Sequence, residues 1–163
     1  MNNTGVFKYL SSLEDLNLKR MQKSKFQGNS ILVEGKKYKT YYWNNTARRD
    51  KKSFTESMAR YKAPTWVEKI NKTKKIIHNL KHNLPKNFTI LELFGGDGIV
   101  LYKLKKEFPQ CIPIQCDMVK HNTWSEIQKQ QNHNFYCIDI NDLVFKENKL
   151  NFVKLNLAQI EEL

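Results

Sequence analysis

Apolar residues change their spacing along this chain, and the changes mark its elements. Residues 1–29 are polar, with a weak helical repeat at Leu10, Leu13, Leu16 and Leu18 that predicts one short helix. Ser30 to Trp43 predicts a hairpin. Ile31-Leu32-Val33 is continuously apolar, Glu34-Gly35-Lys36-Lys37 supplies the turn, and Tyr38 to Trp43 alternates with aromatics. From Pro64 the spacing becomes helical: Trp66, Ile70, Ile77 and Leu80 share one side, Thr65 and Glu68 stand at capping-box distance, and Pro85 is the stop. Beyond Pro85, apolar runs alternate with amphipathic segments. Strands are predicted over 88–94, 111–116, 134–138 and 150–157, with helices over 98–108 and 123–131. Strands alternating with helices imply an α/β fold, a Rossmann-like parallel sheet of about four strands. Two units are expected, a basic hairpin and helix extension over residues 1–63 and a Rossmann-like domain over 64–163, incomplete because only 24 residues follow Asp139.

Charge sharpens that division. Residues 1–89 hold 20 Lys/Arg against 6 Asp/Glu, whereas residues 90–163 hold 8 against 10. A strongly basic first half points to a polyanion, and nucleic acid is the usual one. Its centre is the 44–62 stretch, where Arg48, Arg49, Lys51, Lys52 and Arg60 interleave with Trp43, Phe54 and Tyr61. Cations there would grip phosphates and exposed rings would stack on bases; alternatively the rings are core and the cations solvated. No apolar run approaches the roughly 18 residues of a membrane span, and no secretory leader is recognisable, so a cytoplasmic protein is expected. Cys111, Cys116 and Cys137 read as reduced core residues, and His78 and His82 as a solvated helix face, so no metal site is expected.

The chemistry concentrates where the first long strand ends. Glu92-Leu93-Phe94-Gly95-Gly96-Asp97-Gly98 runs from strand through a glycine turn into a helix, the order that cradles a nucleotide-like ligand. Glu92, Asp117 and Asp139 each close a successive predicted strand, and Asp117 lies 19 residues beyond Gly98, where an acid can take ribose hydroxyls. No neighbouring cation in the sequence pairs these acids. A pyrophosphate would be repelled by Glu92 and Asp97, and Leu101 stands where a dinucleotide fingerprint wants its third glycine. A ligand carrying a sulfonium and an α-amino group suits the acids.

These motifs resemble those of the class I S-adenosylmethionine-dependent methyltransferases: Leu91 to Gly98 for the first, Gln115-Cys116-Asp117-Met118 for the second, Cys137-Ile138-Asp139-Ile140 for the third. The resemblance implies that the cofactor S-adenosylmethionine is bound by Glu92, Phe94, Gly95, Gly96, Asp97, Gly98, Asp117, Met118, Asp139 and Ile140, with Glu92, Gly96 and Gly98 at its methionine part, Asp117 at the ribose, and Asp139 with Ile140 at the adenine. A second resemblance, to tRNA guanine-N2 dimethyltransferases, rests on Glu34-Gly35-Lys36, Tyr42-Trp43-Asn44-Asn45, Arg49-Asp50 and Asp139-Ile140-Asn141-Asp142-Leu143. Asn45 replaces that family's proline. Leu155-Asn156-Leu157 replaces its Leu-Asp-Pro, leaving Asn156 as the candidate for orienting an acceptor amine, by hydrogen bonding and without taking a proton. The expected function is methyl transfer to nucleic acid, RNA foremost. The alternatives are a catalytically silent RNA-binding or scaffold relative, a subunit whose sheet a partner or second copy completes, and a small-molecule methyltransferase.

Overall fold

The computed structural model describes residues 4–22, 25–27, 30–33, 36–39, 49–143 and 152–155, with the backbone alone at residues 4, 21–22, 25–27, 30–33, 36–39, 49 and 152–155. The helices are α1 (Thr4–Gln22), α2 (Phe54–Arg60), α3 (Pro64–Leu80), α4 (Ile99–Glu107) and α5 (Thr123–Gln130). The strands are β1 (Lys25–Gln27), β2 (Ser30–Val33), β3 (Lys36–Lys39), β4 (Thr89–Leu93), β5 (Ile112–Asp117), β6 (Asn134–Cys137) and β7 (Phe152–Leu155).

Two sheets form. The expected hairpin is met by the antiparallel β2–β3 pair, its residues 40–43 lying outside the described residues, and β1 adds a third antiparallel strand. The second sheet is wholly parallel, in the order β6-β5-β4-β7, as the alternation of strands and helices predicts. Parallel strands must be covered on both faces, and β4 is buried throughout. Because side chains alternate, Ile90 faces a core made by α3 and α4 with Ile70, Ile77, Leu101 and Phe108. Leu91 and Leu93 face the other core, with Ile114, Cys116, Ile138 and Leu10 of α1.

Helix α1 and the residues around Tyr61, both before residue 64, pack into the two cores that flank the parallel sheet. The short helix hinted at by Leu10 and Leu13 is 19 residues long. It buries Leu10 against the sheet while Leu16 and Leu18 face outward. Its polar residues are equally engaged: the buried Asn17 amide donates to the carbonyls of Met118 and Cys137, and Glu14 accepts from the Cys137 N–H at 2.7 Å. Tyr61, just before α3, is buried in the other core, with Phe54 and Met58 packed alongside.

Two local expectations need correction. The capping box is not at Thr65 and Glu68: α3 starts at Pro64 without a side-chain cap, and Glu68 pairs with Lys72 instead. A capping box stands one helix earlier, where Ser53 Oγ accepts from the Glu56 N–H and Glu56 accepts from the Ser53 N–H. The three cysteines are free and buried as expected; burial raises Cys111 to about 11 and Cys116 and Cys137 to about 12, leaving them protonated and inert. No described helix is long and apolar enough to cross a membrane, and no cluster of metal ligands forms among the described residues.

Candidate functional site

The glycine turn sits at the carboxyl end of β4, the central pair partner of both β5 and β7. Parallel sheets open their ligand crevice at that end. Gly96 (φ 57°) and Gly98 (φ 78°) occupy the left-handed region, where a β-carbon is strained. At Gly98 a Cβ would also come within 2.9 Å of Phe135 and 3.1 Å of Ile127. Gly95 is buried against the Gln115 side chain, which a Cβ would strike.

The turn is held from below by neutral donors. Gln115, fully buried on β5, donates Nε2–H to the Gly96 carbonyl at 2.9 Å, and Trp124 donates Nε1–H to the same oxygen at 2.7 Å. Thr123 Oγ1 donates to the Asp97 carbonyl at 2.6 Å. Trp124 is fixed in a row of stacked rings, with His121 on one side and Phe135 then His133 on the other. Helix α5 and strand β6 thus set the height of the loop.

The acids divide by what satisfies them. Asp97 is buried and spoken for: Oδ1 accepts from the Tyr61 hydroxyl at 2.9 Å and the Ile99 N–H at 3.3 Å, while Arg60 stands 3.8 Å from Oδ2. Burial and the Asp97 charge push the Tyr61 hydroxyl far above its usual pKa, so it remains a donor. Asp117 Oδ2 accepts from the Gly96 N–H at 2.9 Å and Oδ1 from the Val119 N–H at 3.3 Å, so it ties the glycine turn to β5. Burial raises its pKa, opposed by His121, whose Nε2 lies 4.0 Å from Oδ1. Glu92 is 4% exposed, and its Oε2 has no hydrogen-bond partner among the described residues. Burial, then the charges of Asp97 and Asp117, raise it to about 8, against one stabilising bond from the Leu101 N–H. Asp97 and Glu92 already receive first-turn N–H groups of α4, so the helix start is closed to an incoming phosphate.

Asp139 stands elsewhere in character. It caps the turn at Ile140–Asp142, accepting from the Asn141 N–H at 3.0 Å, and Arg20 of α1 reaches it at 3.4 Å and Asp142 at 2.9 Å. Of Glu92, Asp117 and Asp139, expected to have no cation nearby in sequence, Asp139 is paired by the sequence-distant Arg20, and Asp97 has Arg60 beside it. Both partners come from helices far away in sequence, which no local motif reveals. Met118, half-buried just after β5, has its carbonyl taken by Asn17, and Ile140, half-buried just after Asp139, packs against the core of Leu10 and Leu91.

The expected nucleic-acid residues scatter. Trp43, Arg48 and Asn156 lie outside the described residues, and Arg49 is described by its backbone alone. Lys51 and Lys52 are exposed. Arg60 points inward, over the Tyr61 and Trp66 rings at 5.0 and 4.9 Å, which together with its Asp97 pairing corrects its assignment to a polyanion surface. Phe54 and Tyr61 are core, which decides between the two readings of those rings. His78 is exposed and pairs with Glu107 at 3.1 Å. Sequence reasoning missed Gln115, Thr123 and Trp124. Their signal was weak: a polar residue inside an apolar strand, and a Thr-Trp pair opening a helix.

The fold and site together define an α/β protein with a glycine-turn crevice lined by carboxylates. No family model matches the chain, and neither does any curated protein. Among solved structures it is similar to the plantazolicin methyltransferase BpumL, crystallised with a pentazolic desmethylPZN analogue and SAH. Identity is 14% and the TM-score 0.44, over 90% of this chain and 47% of that one. The chain thus spans about half the length of that protein.

The crevice fits S-adenosylmethionine on its own geometry. A buried carboxyl oxygen without a partner at Glu92 suits a cationic group, and the two positive-φ glycines permit close approach. Asp117, held by the Gly96 and Val119 N–H groups, can accept further hydrogen bonds beside the turn, because each carboxylate oxygen offers two lone pairs.

Proposed function

We propose that the crevice over β4 and β5 binds S-adenosylmethionine and that the chain transfers its methyl group to nucleic acid, RNA foremost. The observation that carries the reading is Glu92: a carboxyl buried at a parallel-sheet crevice, one oxygen unpartnered, beside a glycine turn locked by Asp117. When bound, S-adenosylmethionine supplies an activated methyl for direct displacement, so alignment is the main task of the protein. Glu92 and the Gly95–Gly98 turn would hold the methionine part and Asp117 the ribose hydroxyls. The Asp139–Ile140 turn, steadied by Arg20, would bound the adenine, and Asn156 would orient the acceptor amine. Lys51 and Lys52, exposed, support a phosphate contact at the front of the molecule. Strands β6 and β7 are the edges of the described sheet, which suits a covering partner or second copy.

A second reading has its own support. Asp97 and Asp139 are satisfied by groups of the chain itself, as structural carboxylates would be. On that reading the chain binds RNA without modifying it. Incubation with methyl-labelled cofactor and total RNA separates the two. Label in RNA, lost in Gly96→Val, is expected; retention of RNA without label would leave the binder.

A further inference from the structure

The two faces of the parallel sheet differ in charge. Helix α1 covers one of them, and residues 4–22 hold Lys8, Lys19 and Arg20 against Glu14 and Asp15. Helices α3 and α4 cover the other. There residues 62–86 hold seven lysines and a single acid, Glu68, a net of +6 that is half of the chain's +12. The basic bias is therefore placed on one side rather than spread through the composition. Part of it is used within the chain: Lys74 pairs with Glu107 of α4 at 3.2 Å, and Lys69 lies over the Trp66 ring at 5.7 Å. Lys62, Lys72, Lys75, Lys81 and Lys86 are exposed. At about 3.6 residues per turn, the burial of Ile70, Thr73 and Ile77 puts Glu68, Asn71, Lys72 and Lys75 on the outward side of α3. A groove opens there, lined by Pro64, Val67, Glu68, Asn71, Lys72 and Lys75. Lys72 meets Glu68 at 2.8 Å, but the two side chains are 61% and 66% exposed, so the pair is weak and yields to a stronger anion. The amino end of α3 lies at the crevice: Arg60 and Tyr61, just ahead of it, reach Asp97 of the glycine turn. From there the helix runs about 26 Å toward the amino end of β4. A linear polyanion laid along α3 is thus led to the glycine turn.

We infer that the outward face of α3 is the docking track for the phosphate backbone of the RNA acceptor, with Lys72 and Lys75 on phosphates and Lys62 continuing the track toward the crevice. The inference rests on the RNA reading above for its partner, and it does not require the cofactor. Lysine ammoniums meet the phosphates of any nucleotide, so the track sets register and affinity and leaves the choice of base to the crevice. Such contacts release counterions, and their mark is a steep dependence on salt.

The test titrates the full chain into a fluorescent single-stranded RNA oligonucleotide over a range of salt. For the wild type, log affinity should fall linearly with log salt. Lys72→Gln/Lys75→Gln is expected to flatten that slope by about 1.4, roughly 0.7 for each lost contact. With the two lines meeting near about 1 M, the double variant binds about 25-fold more weakly at about 0.1 M. Lys72→Arg/Lys75→Arg keeps the charges and should keep the slope. The control is Lys8→Gln/Lys19→Gln, an equal loss of charge from exposed residues of α1. It should stay within about 2-fold of wild type, because charges more than about 10 Å away are largely screened at 0.1 M salt. If the α3 double variant melts early, Glu68→Gln decides: tighter binding than wild type supports the track, and unchanged binding overturns it. Equal weakening of the two glutamine variants overturns the track in favour of net charge alone. An unchanged slope in the α3 variant, with the wild type binding RNA, overturns the track and leaves the RNA reading standing. No RNA binding by the wild type overturns both, whether or not vesicles containing phosphatidylserine are bound instead.

Discussion

The two ends of the crevice solve the same problem in opposite ways. At the glycine turn, carboxylates are held by neutral donors: Asp117 by backbone N–H groups, Asp97 chiefly by Tyr61 and Ile99, with Gln115, Trp124 and Thr123 fixing the loop. At the end of β6, Asp139 and Asp142 share the guanidinium of Arg20. The charge at the second end is neutralised within the chain. At the first end Glu92 keeps a buried oxygen without a partner and holds its proton up to about pH 8. Once Glu92 ionises, a cation from solution gains most at the glycine turn, and in the proposed complex the cationic part would lie over β4 and the neutral ring toward β6.

The largest expected effect falls on the turn itself. Gly98→Ala combines a left-handed φ with a Cβ 2.9 Å from Phe135, and should cost about 3 kcal/mol. Urea denaturation measures it; a cost below about 1 kcal/mol would mean that the loop gives way easily.

Glu92 comes next. Its folded pKa is raised from 4.5 to about 8, so the folded state binds the proton more tightly than the unfolded chain. Stability from this group is fully present below pH 4.5 and declines as pH climbs through 8. Glu92→Gln should flatten that decline and be more stable than wild type at pH 9 by about 2–4 kcal/mol, each unit being worth about 1.4 kcal/mol. The same ionisation favours a cationic ligand, so affinity for S-adenosylmethionine relative to S-adenosylhomocysteine, which lacks the sulfonium charge, should rise between pH 6 and 9. A pH-independent ratio, or parallel stability curves for the two proteins, would place Glu92 in ordinary solvent.

Arg20→Met probes the other end. It leaves two partly buried carboxylates without their cation, at a cost of about 1–2 kcal/mol. Affinity for S-adenosylhomocysteine should fall less at pH 7 than in Asp117→Ala; the reverse order would make the β6 end the dominant one. Trp124→Phe is the mildest change. It keeps the ring stack with Phe135 and removes one of two donors to the Gly96 carbonyl, for about 1 kcal/mol by thermal melting.

The parallel sheet was legible because its signals are local. Apolar runs closed by Glu92, Asp117 and Asp139 mark buried strands, and the glycines mark the turn between β4 and α4. What escaped was built by contacts over long separations. Arg20 meets Asp142 across 122 positions and Asn17 meets Cys137 across 120, so no window of sequence shows that α1 is the second layer of the sheet. Helix α2 escaped for another reason. Its Ser53 to Glu56 capping box was readable, but the cations and rings around it invited a surface reading, and Arg60 with Tyr61 turned out to face inward, onto Asp97. Phe94 was expected among the cofactor residues by resemblance; its strained, exposed placement belongs to tertiary structure and no residue pattern carries it.

The claim on which the rest stands is that the glycine turn and its carboxylates hold S-adenosylmethionine. Isothermal calorimetry with S-adenosylhomocysteine tests it most directly. Saturable one-to-one binding to the wild type is predicted, abolished in both Gly96→Val and Asp117→Ala while their far-ultraviolet spectra stay folded. Unchanged binding in the two variants, or none in the wild type, would contradict it.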